Sequence, residues 1–255
     1  MPRRAGGRGV CAMARRAPEC ADFSARTLAG RARHRIPAVI DRLRELGYPA
    51  PRIELAVQLQ DVVVLVQELL PGRKIDHLDA GLLEQGLVLN GLQAGALAAR
   101  PEVRPLDLHL REDGPGFCLH GPLRAYSRRS ARLQQWVAEA GVVHPSTLAG
   151  DDAIHFDFHP GNLLEQAGRV SGVVDWDGAC RGDHRFDLVT LRFGLLPKSI
   201  VPSVLGRLDG IPPDVLRPAW AHMSLRMTDW AIRHFAASEV EQWMDLAEQR
   251  ASAHL

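Results

Sequence analysis

His155-Phe156-Asp157-Phe158-His159-Pro160-Gly161-Asn162 sets a run of polar and turn-forming residues into a small-residue, apolar background, and Val173-Val174-Asp175-Trp176-Asp177 follows shortly after it. Phosphoryl transfer from a nucleotide calls for a carboxylate beside the accepting hydroxyl and two oxygen ligands for a magnesium ion on the phosphates. Asp157, Asn162 and Asp175 supply an Asp, an Asn and an Asp in that order. This is the pattern of a phosphotransferase.

Each residue also has a plainer reading. Asp157 alone fits a turn or cap aspartate, and Asn is common after Pro-Gly in any turn. The Asn five residues on and the second, apolar-flanked Asp tip the balance towards Asp157 as the base or positioning carboxylate for a hydroxyl. His155 is expected to brace the loop by hydrogen bonding. Asp175 follows Gly172-Val173-Val174, so it stands at the end of a buried strand, a costly place for a carboxylate unless it is paired or metal-bound. A metal-dependent hydrolase is the competing chemistry: His155, Asp157 and His159 alternate and would share one side of a strand, with Asp183-His184 as further ligands. Pro160-Gly161 makes the segment a loop, however, and Asn162 has no natural place in a zinc site. His184 and Asp177 read as a solvated loop residue and a local hydrogen-bonding residue.

The chain of 255 residues is long enough to bury a sizeable core as one large domain or two small ones. Lys plus Arg balance Asp plus Glu at 31 to 30, so neither a nucleic-acid partner nor an acidic tail is indicated, and the partner is expected to be a small molecule. Cys11, Cys20, Cys118 and Cys180 are scattered with no Cys-x-x-Cys pair, which fits a reducing cytoplasm better than a zinc site or disulfide framework. No apolar run reaches the roughly 18 residues of a membrane span, and no signal-peptide segment opens the chain. Lys74 and Lys198 are the only lysines.

Residues 1–35 hold nine Arg and two acids with no apolar periodicity and read as disordered or poorly folded. Apolar residues at 36, 39, 40, 43 and 46 predict a helix over 36–46, with Pro37 in its first turn and Gly47 at its end. Residues 53–59 and 62–69 read as antiparallel strands around a turn at Gln60-Asp61, closed by Pro71-Gly72. Helices are expected over 78–97, despite four glycines, and over 123–140; between them 100–120 reads as a loop able to carry substrate contacts. Residues 163–164 and 169–174 flank Gly168 like a hairpin that would bring Asn162 and Asp175 to one end of neighbouring strands. Further helices are expected over 187–196, 213–234 and 240–251. The division is thus 1–35, a small lobe over 36–70, and a mainly helical large lobe over 71–255 that holds the chemistry.

From about Val66 to Leu191 the chain resembles the aminoglycoside phosphotransferase and choline kinase-like family. Its His-Gly-Asp-x-His-x-x-Asn loop is matched at 155–162, its Ile-Asp-Trp-Asp-like strand by Val174-Asp175-Trp176-Asp177-Gly178-Ala179, and its Gly-Asp-Pro-x-x-Asp-Leu segment by Gly182-Asp183-His184-Arg185-Phe186-Asp187-Leu188. The resemblance implies an α+β, protein-kinase-like fold of two lobes with an incomplete small β lobe. It implies Asp157 as catalytic base, Asn162 and Asp175 as Mg2+ ligands, and Asp187 as an anchoring carboxylate beneath the loop. Val66-Gln67-Glu68-Leu69-Leu70-Pro71-Gly72 is similar to the interlobe hinge, where backbone groups of Gln67, Glu68 and Leu69 would receive the adenine of ATP or GTP. Gly47 to Pro51 is similar to the segment after the regulatory helix.

The pattern also departs from the family. No strand bearing a phosphate-gripping Lys precedes the 36–46 helix, Lys74 lies after the hinge, and Asp41 and Glu45 do not match the helix's partner Glu. The loop's second position is Phe156 where the family has Gly. A start-site or frame-shift error that replaced the first strands, or a degenerate relative, would account for this. The resulting expectation is a weak or silent small-molecule kinase, with a non-catalytic ligand-binding module as the alternative. The acidic residues Glu239, Glu241, Asp245 and Glu248 form either a solvated helix face or an attraction for a cationic acceptor.

Overall fold

The computed structural model describes residues 10–16, 24–59, 62–195 and 202–251. A strand, β1 (Val10–Arg16), is followed by a long helix α1 (Ser24–Glu45) and the strands β2 (Ile53–Leu59) and β3 (Val62–Glu68). β3 is central, antiparallel to β1 on one edge and to β2 on the other. The β2–β3 pairing is the one the alternation implies; the turn expected at Gln60-Asp61 lies outside the described residues.

Two expectations for this part are corrected. Residues 1–35 read as disordered, with no strand ahead of the helix, yet β1 and the first turns of α1 lie there. The second edge of β3 supplies backbone partners to a segment whose own composition gives no strand signal. α1 also starts at Ser24 instead of Ile36, so Pro37 falls inside the helix, where a proline costs roughly 3 kcal/mol. Burial of Ile36, Val39, Ile40 and Leu43 offsets that cost. The helix ends at Gly47 as expected, through Tyr48 N–H to the Leu43 carbonyl and Gly47 N–H to that of Arg44.

Beyond the hinge come β4 (Arg73–Lys74), α2 (Ala80–Leu92), β5 (Leu106–Asp107), α3 (His120–Tyr126), α4 (Arg128–Val143), β6 (Thr147–Leu148) and β7 (Asp152–Ile154). β8 (Leu163–Gln166), β9 (Arg169–Val173), β10 (Cys180–Gly182), α5 (Phe186–Gly194), α6 (Pro202–Asp209), α7 (Pro213–His234) and α8 (Ala237–Glu248) complete the chain. The single helix expected over 123–140 is two, because Ser127 and Ser130 form a capping box that restarts the helix after an extended residue. Leu123, Leu133, Trp136 and Val137 are buried as their spacing implies.

The architecture is α+β: a three-stranded sheet with α1, then a mainly helical large part with short two- and three-stranded sheets. One apolar cluster runs from Ile36 on α1 through Trp136, Phe158, Phe186 and Phe193 to Ala251, so the two parts share a core. Among the described residues no helix is long and apolar enough to cross a membrane.

Candidate active site

β8 and β9 form the expected hairpin, closed by Ala167 and Gly168 with φ of +53° and +75°. Two successive positive φ values make the primed turn whose twist matches that of the strands. Leu163 pairs with Val173, and one step outward Val174 N–H donates to the Asn162 carbonyl at 2.9 Å. Asn162 and Asp175 therefore emerge at the same end of the hairpin. A single 3-10 turn, Pro160–Asn162, leads into β8 and is capped by His159, whose Nδ1 accepts the Gly161 N–H at 3.1 Å.

Asp157 sits against that end. Asn162 Nδ2 donates to the Asp157 carbonyl at 2.9 Å and to its Oδ2 at 3.2 Å. This commits the amide nitrogen of Asn162 to the loop, so Oδ1 is the side-chain atom with ligand chemistry to offer. Arg226 Nη2 donates to Asp157 Oδ1 at 3.0 Å, and His159 Nε2 lies 3.5 Å from Oδ2. Burial works to raise the Asp157 pKa, but the attraction of His159 and Arg226 prevails and holds the carboxyl well below the usual carboxylate range. The group is ionised at neutral pH.

The loop is held from beneath. Asp187, fully buried in the first turn of α5, accepts His155 N–H at 2.7 Å, Phe156 N–H at 2.9 Å and Gln93 Nε2 at 2.7 Å. Burial pushes its pKa up to about 6 against these hydrogen bonds. His155 is fully buried; its Nε2 is 2.9 Å from the Val174 carbonyl and its Nδ1 accepts Asp157 N–H at 3.2 Å. That pairing makes Nε2 the protonated nitrogen of a neutral ring, and burial lowers the pKa to about 4. His155 therefore ties the loop to the residue that follows β9 and precedes Asp175. Trp176 backs it, with ring centroids 4.4 Å apart and its indole N–H on the Val173 carbonyl at 2.9 Å.

Four non-glycine residues have positive φ among the described residues, and two belong to this site: Phe156 at +78° and Asp175 at +67°. Such backbone costs of order 1–3 kcal/mol and persists only where the surroundings enforce it. At Phe156 a bulky side chain thus sits on left-handed backbone of the kind glycine adopts without strain.

The alternating His155, Asp157 and His159 of the hydrolase alternative do not assemble: His155 turns its Nε2 to a backbone carbonyl, so the three do not converge on one ion. Asp152, Asp183 and His184 approach one another within 4.8 Å, but Asp183 is engaged by Arg185 at 2.8 Å and Asp152 by His184 at 2.7 Å. The oxygen donors of Asn162 and Asp175 suit a hard cation such as Mg2+.

The hinge expectation is narrowed. Gln67 and Glu68 lie in the central strand, and Glu68 N–H donates to the Arg52 carbonyl at 2.8 Å, so neither residue offers its backbone freely to adenine. Leu69 lies just past the strand and is 60 % exposed. Lys74 lies in β4, paired with Leu164, away from the small sheet. Asp41 is exposed and Glu45 pairs with Arg42. The helix residue that reaches towards the site is Arg35, whose Nη2 donates to the Asp177 carbonyl at 2.9 Å. Three of the four acids on α8 are engaged by one cation: Arg129 binds Glu241, Asp245 and Glu248 at 2.5, 2.7 and 2.6 Å. A cavity of about 640 Å3 lies between residues 107–112 and 141–146, and no candidate site residue lines it.

Gln93, Gly178 and Arg226 complete the loop's surroundings; Gly178 lies in the matched 174–179 motif, whereas Gln93 and Arg226 had no signal in the sequence. Arg226 is one of three arginines on α7, and Gln93 lies in a turn after α2.

The model of the phosphotransferase enzyme family matches residues 22–207, well over half of the chain. No curated protein matches. Among solved structures, a thermostable mutant of aminoglycoside phosphotransferase APH(4)-Ia in its apo form is 14 % identical, with a TM-score of 0.62 and coverage of 99 % of this chain and 90 % of that one. A further mutant of that enzyme, in ternary complex with AMP-PNP and hygromycin B, is 15 % identical with a TM-score of 0.63, covering 98 % and 89 %. A putative fructosamine-3-kinase from Haemophilus somnus 129PT is 13 % identical with a TM-score of 0.50, covering 94 % and 83 %. At these identities the likeness is one of fold.

Proposed function

The chain belongs to the phosphotransferase enzyme family, and from that membership we propose that it moves the terminal phosphoryl group of ATP or GTP to a hydroxyl of a small molecule. The observation that carries this reading is the ionised Asp157 carboxylate, joined through Asn162 to the hairpin end that presents Asp175.

Asp157 would take the acceptor hydroxyl as a hydrogen-bond donor on a remaining lone pair. Its depressed pKa makes it a weak base, so its main work is to aim the oxygen; a loose transition state needs little proton removal before the phosphoryl moves. Asn162 and Asp175 would hold Mg2+, which when bound supplies neutralisation of the phosphate charge. Asp187 and His155 keep the loop backbone in place, and the backbone at Leu69 would meet the base of the nucleotide. No lysine stands in the small sheet among the described residues. The loss of one donor to a charged transition state costs roughly 3–4 kcal/mol, so turnover is expected to be slow. Buried free thiols at Cys118 and Cys180 fit a reducing cytoplasm.

The lack of that lysine, together with the Arg226 ion pair on Asp157, favours one second reading: a ligand-binding module of the same fold without catalysis. Transfer of label from γ-labelled ATP to a panel of hydroxyl compounds, with melting curves in Mg-ATP, separates the two. The phosphotransferase reading expects label transfer that Asp157→Ala abolishes and a melting rise that Asp175→Ala abolishes. A rise without transfer favours the module, and neither effect in the wild type sinks both.

A further inference from the structure

Phe156 occupies the glycine position of the catalytic loop, and three features of the fold accommodate it. A Cβ on Gly178 would lie 2.5 Å from Phe156 Cδ1 and 2.8 Å from its Cβ, so the bare backbone at 178 makes room for the ring. The ring stacks on Phe186 at 5.9 Å and 5° between planes, with the edge of buried His222 at 5.9 Å. On its remaining side the Arg226 guanidinium stands 4.4 Å from the ring centroid. The same guanidinium donates through Nη1 to the Phe156 carbonyl and through Nη2 to Asp157 Oδ1, both at 3.0 Å. One planar fork thus holds the strained residue by its face and its carbonyl and the reacting carboxylate beside it, a task a point-charge ammonium cannot share out.

The geometry points to Arg226 as a positioning residue: with Phe156 and Gly178 it forms a clamp that replaces the self-sufficient glycine of the loop and aims Asp157. The inference rests on the reading of Asp157 as the group that meets the acceptor hydroxyl. It requires that the need for Arg226 depend on the side chain at 156.

The test is a double-mutant cycle on the full chain with Arg226→Met, Arg226→Lys, Phe156→Gly and the Phe156→Gly/Arg226→Met pair, assayed by Mg-ATP turnover with water as acceptor and by melting temperature. Arg226→Met is expected to lower kcat by about tenfold or more with the KM for ATP changed by less than about twofold, as for a displaced reacting group. In the Phe156→Gly background the same change is expected to cost about threefold or less, and Arg226→Lys should fall between. Equal losses in both backgrounds, or a kcat within about twofold of wild type for Arg226→Met, overturn the positioning role. If wild type turns over no faster than Asp157→Ala, it is the phosphotransferase reading that fails. The melting temperatures then decide the clamp: coupled losses at 156 and 226 support it, and additive losses overturn it.

Discussion

The buried carboxylate of Asp187 accepts the backbone N–H groups of both His155 and Phe156, 32 and 31 residues earlier in the chain. A short-range turn therefore takes its shape from a helix that lies later in the chain. Replacing Asp187 with Asn keeps the size but turns an N–H towards amides that are themselves donors. Leaving a buried donor unpaired costs about 1–3 kcal/mol, so Asp187→Asn is expected to lower the unfolding free energy by that amount in urea titrations. A variant as stable as wild type would show that the loop does not depend on this carboxylate.

Asp175 has a left-handed backbone, a conformation that Asn tolerates as well as Asp. Asp175→Asn is accordingly expected to melt within a few degrees of wild type without nucleotide while losing most of the rise produced by Mg-ATP. Retention of the full rise would remove Asp175 from the proposed magnesium ligands.

His222 is fully buried; burial lowers its pKa to about 3, against the hydrogen bond of its Nδ1–H to the Leu108 carbonyl. Between that value and the unfolded pKa of about 6.5 only the unfolded chain takes up the proton, so this contribution to stability is complete above pH 6.5 and is lost as pH falls, by about 1.4 kcal/mol per unit. Asp187, raised to about 6, has the opposite sign: its contribution is present below the unfolded carboxylate pKa and lost as pH rises through about 6. His222→Asn keeps the donor and leaves Asp187 in place. The variant is expected to lose less stability than wild type between pH 7 and 5, by about 2 kcal/mol; parallel curves would contradict the burial of a neutral ring.

Gly178 lies against Phe156, and a methyl group there would meet the ring at 2.5 Å. Overpacking of this kind costs about 1–3 kcal/mol. Gly178→Ala should be destabilising by that much when Phe156 is present and by clearly less after Phe156→Gly, as read from melting curves. An unchanged penalty would place the clash elsewhere.

Much of the site is legible in the chain itself because its signals are local. The order Asp157, Asn162, Asp175, the turn at Gly168 and the apolar strands on either side of it suffice to derive the hairpin and the shared end of its two candidate ligands. The α1 periodicity from Ile36 gives the packed part of that helix, but its first turns have no comparable stripe, and β1 has no strand signal of its own. Pairing with β3 was needed to reveal it. At the hinge the apolar run points to β3 correctly, yet only its pairing on both edges shows that Gln67 and Glu68 lie within the sheet and that Leu69 is the first residue past it.

Composition and spacing alone determined the chemistry on offer: three side chains of the right type in the right order, on a hairpin whose turn dictates its register. The fold decided what those groups can do, because pKa, strain and aim depend on neighbours remote in the chain. Arg226 reaches Asp157 across 69 positions and Gln93 reaches Asp187 across 94, while Arg129 gathers three carboxylates of an acidic face whose partner the one-dimensional pattern left open. Charge and hydrogen bonding act over a few ångströms of space, and only packing brings these side chains within that range.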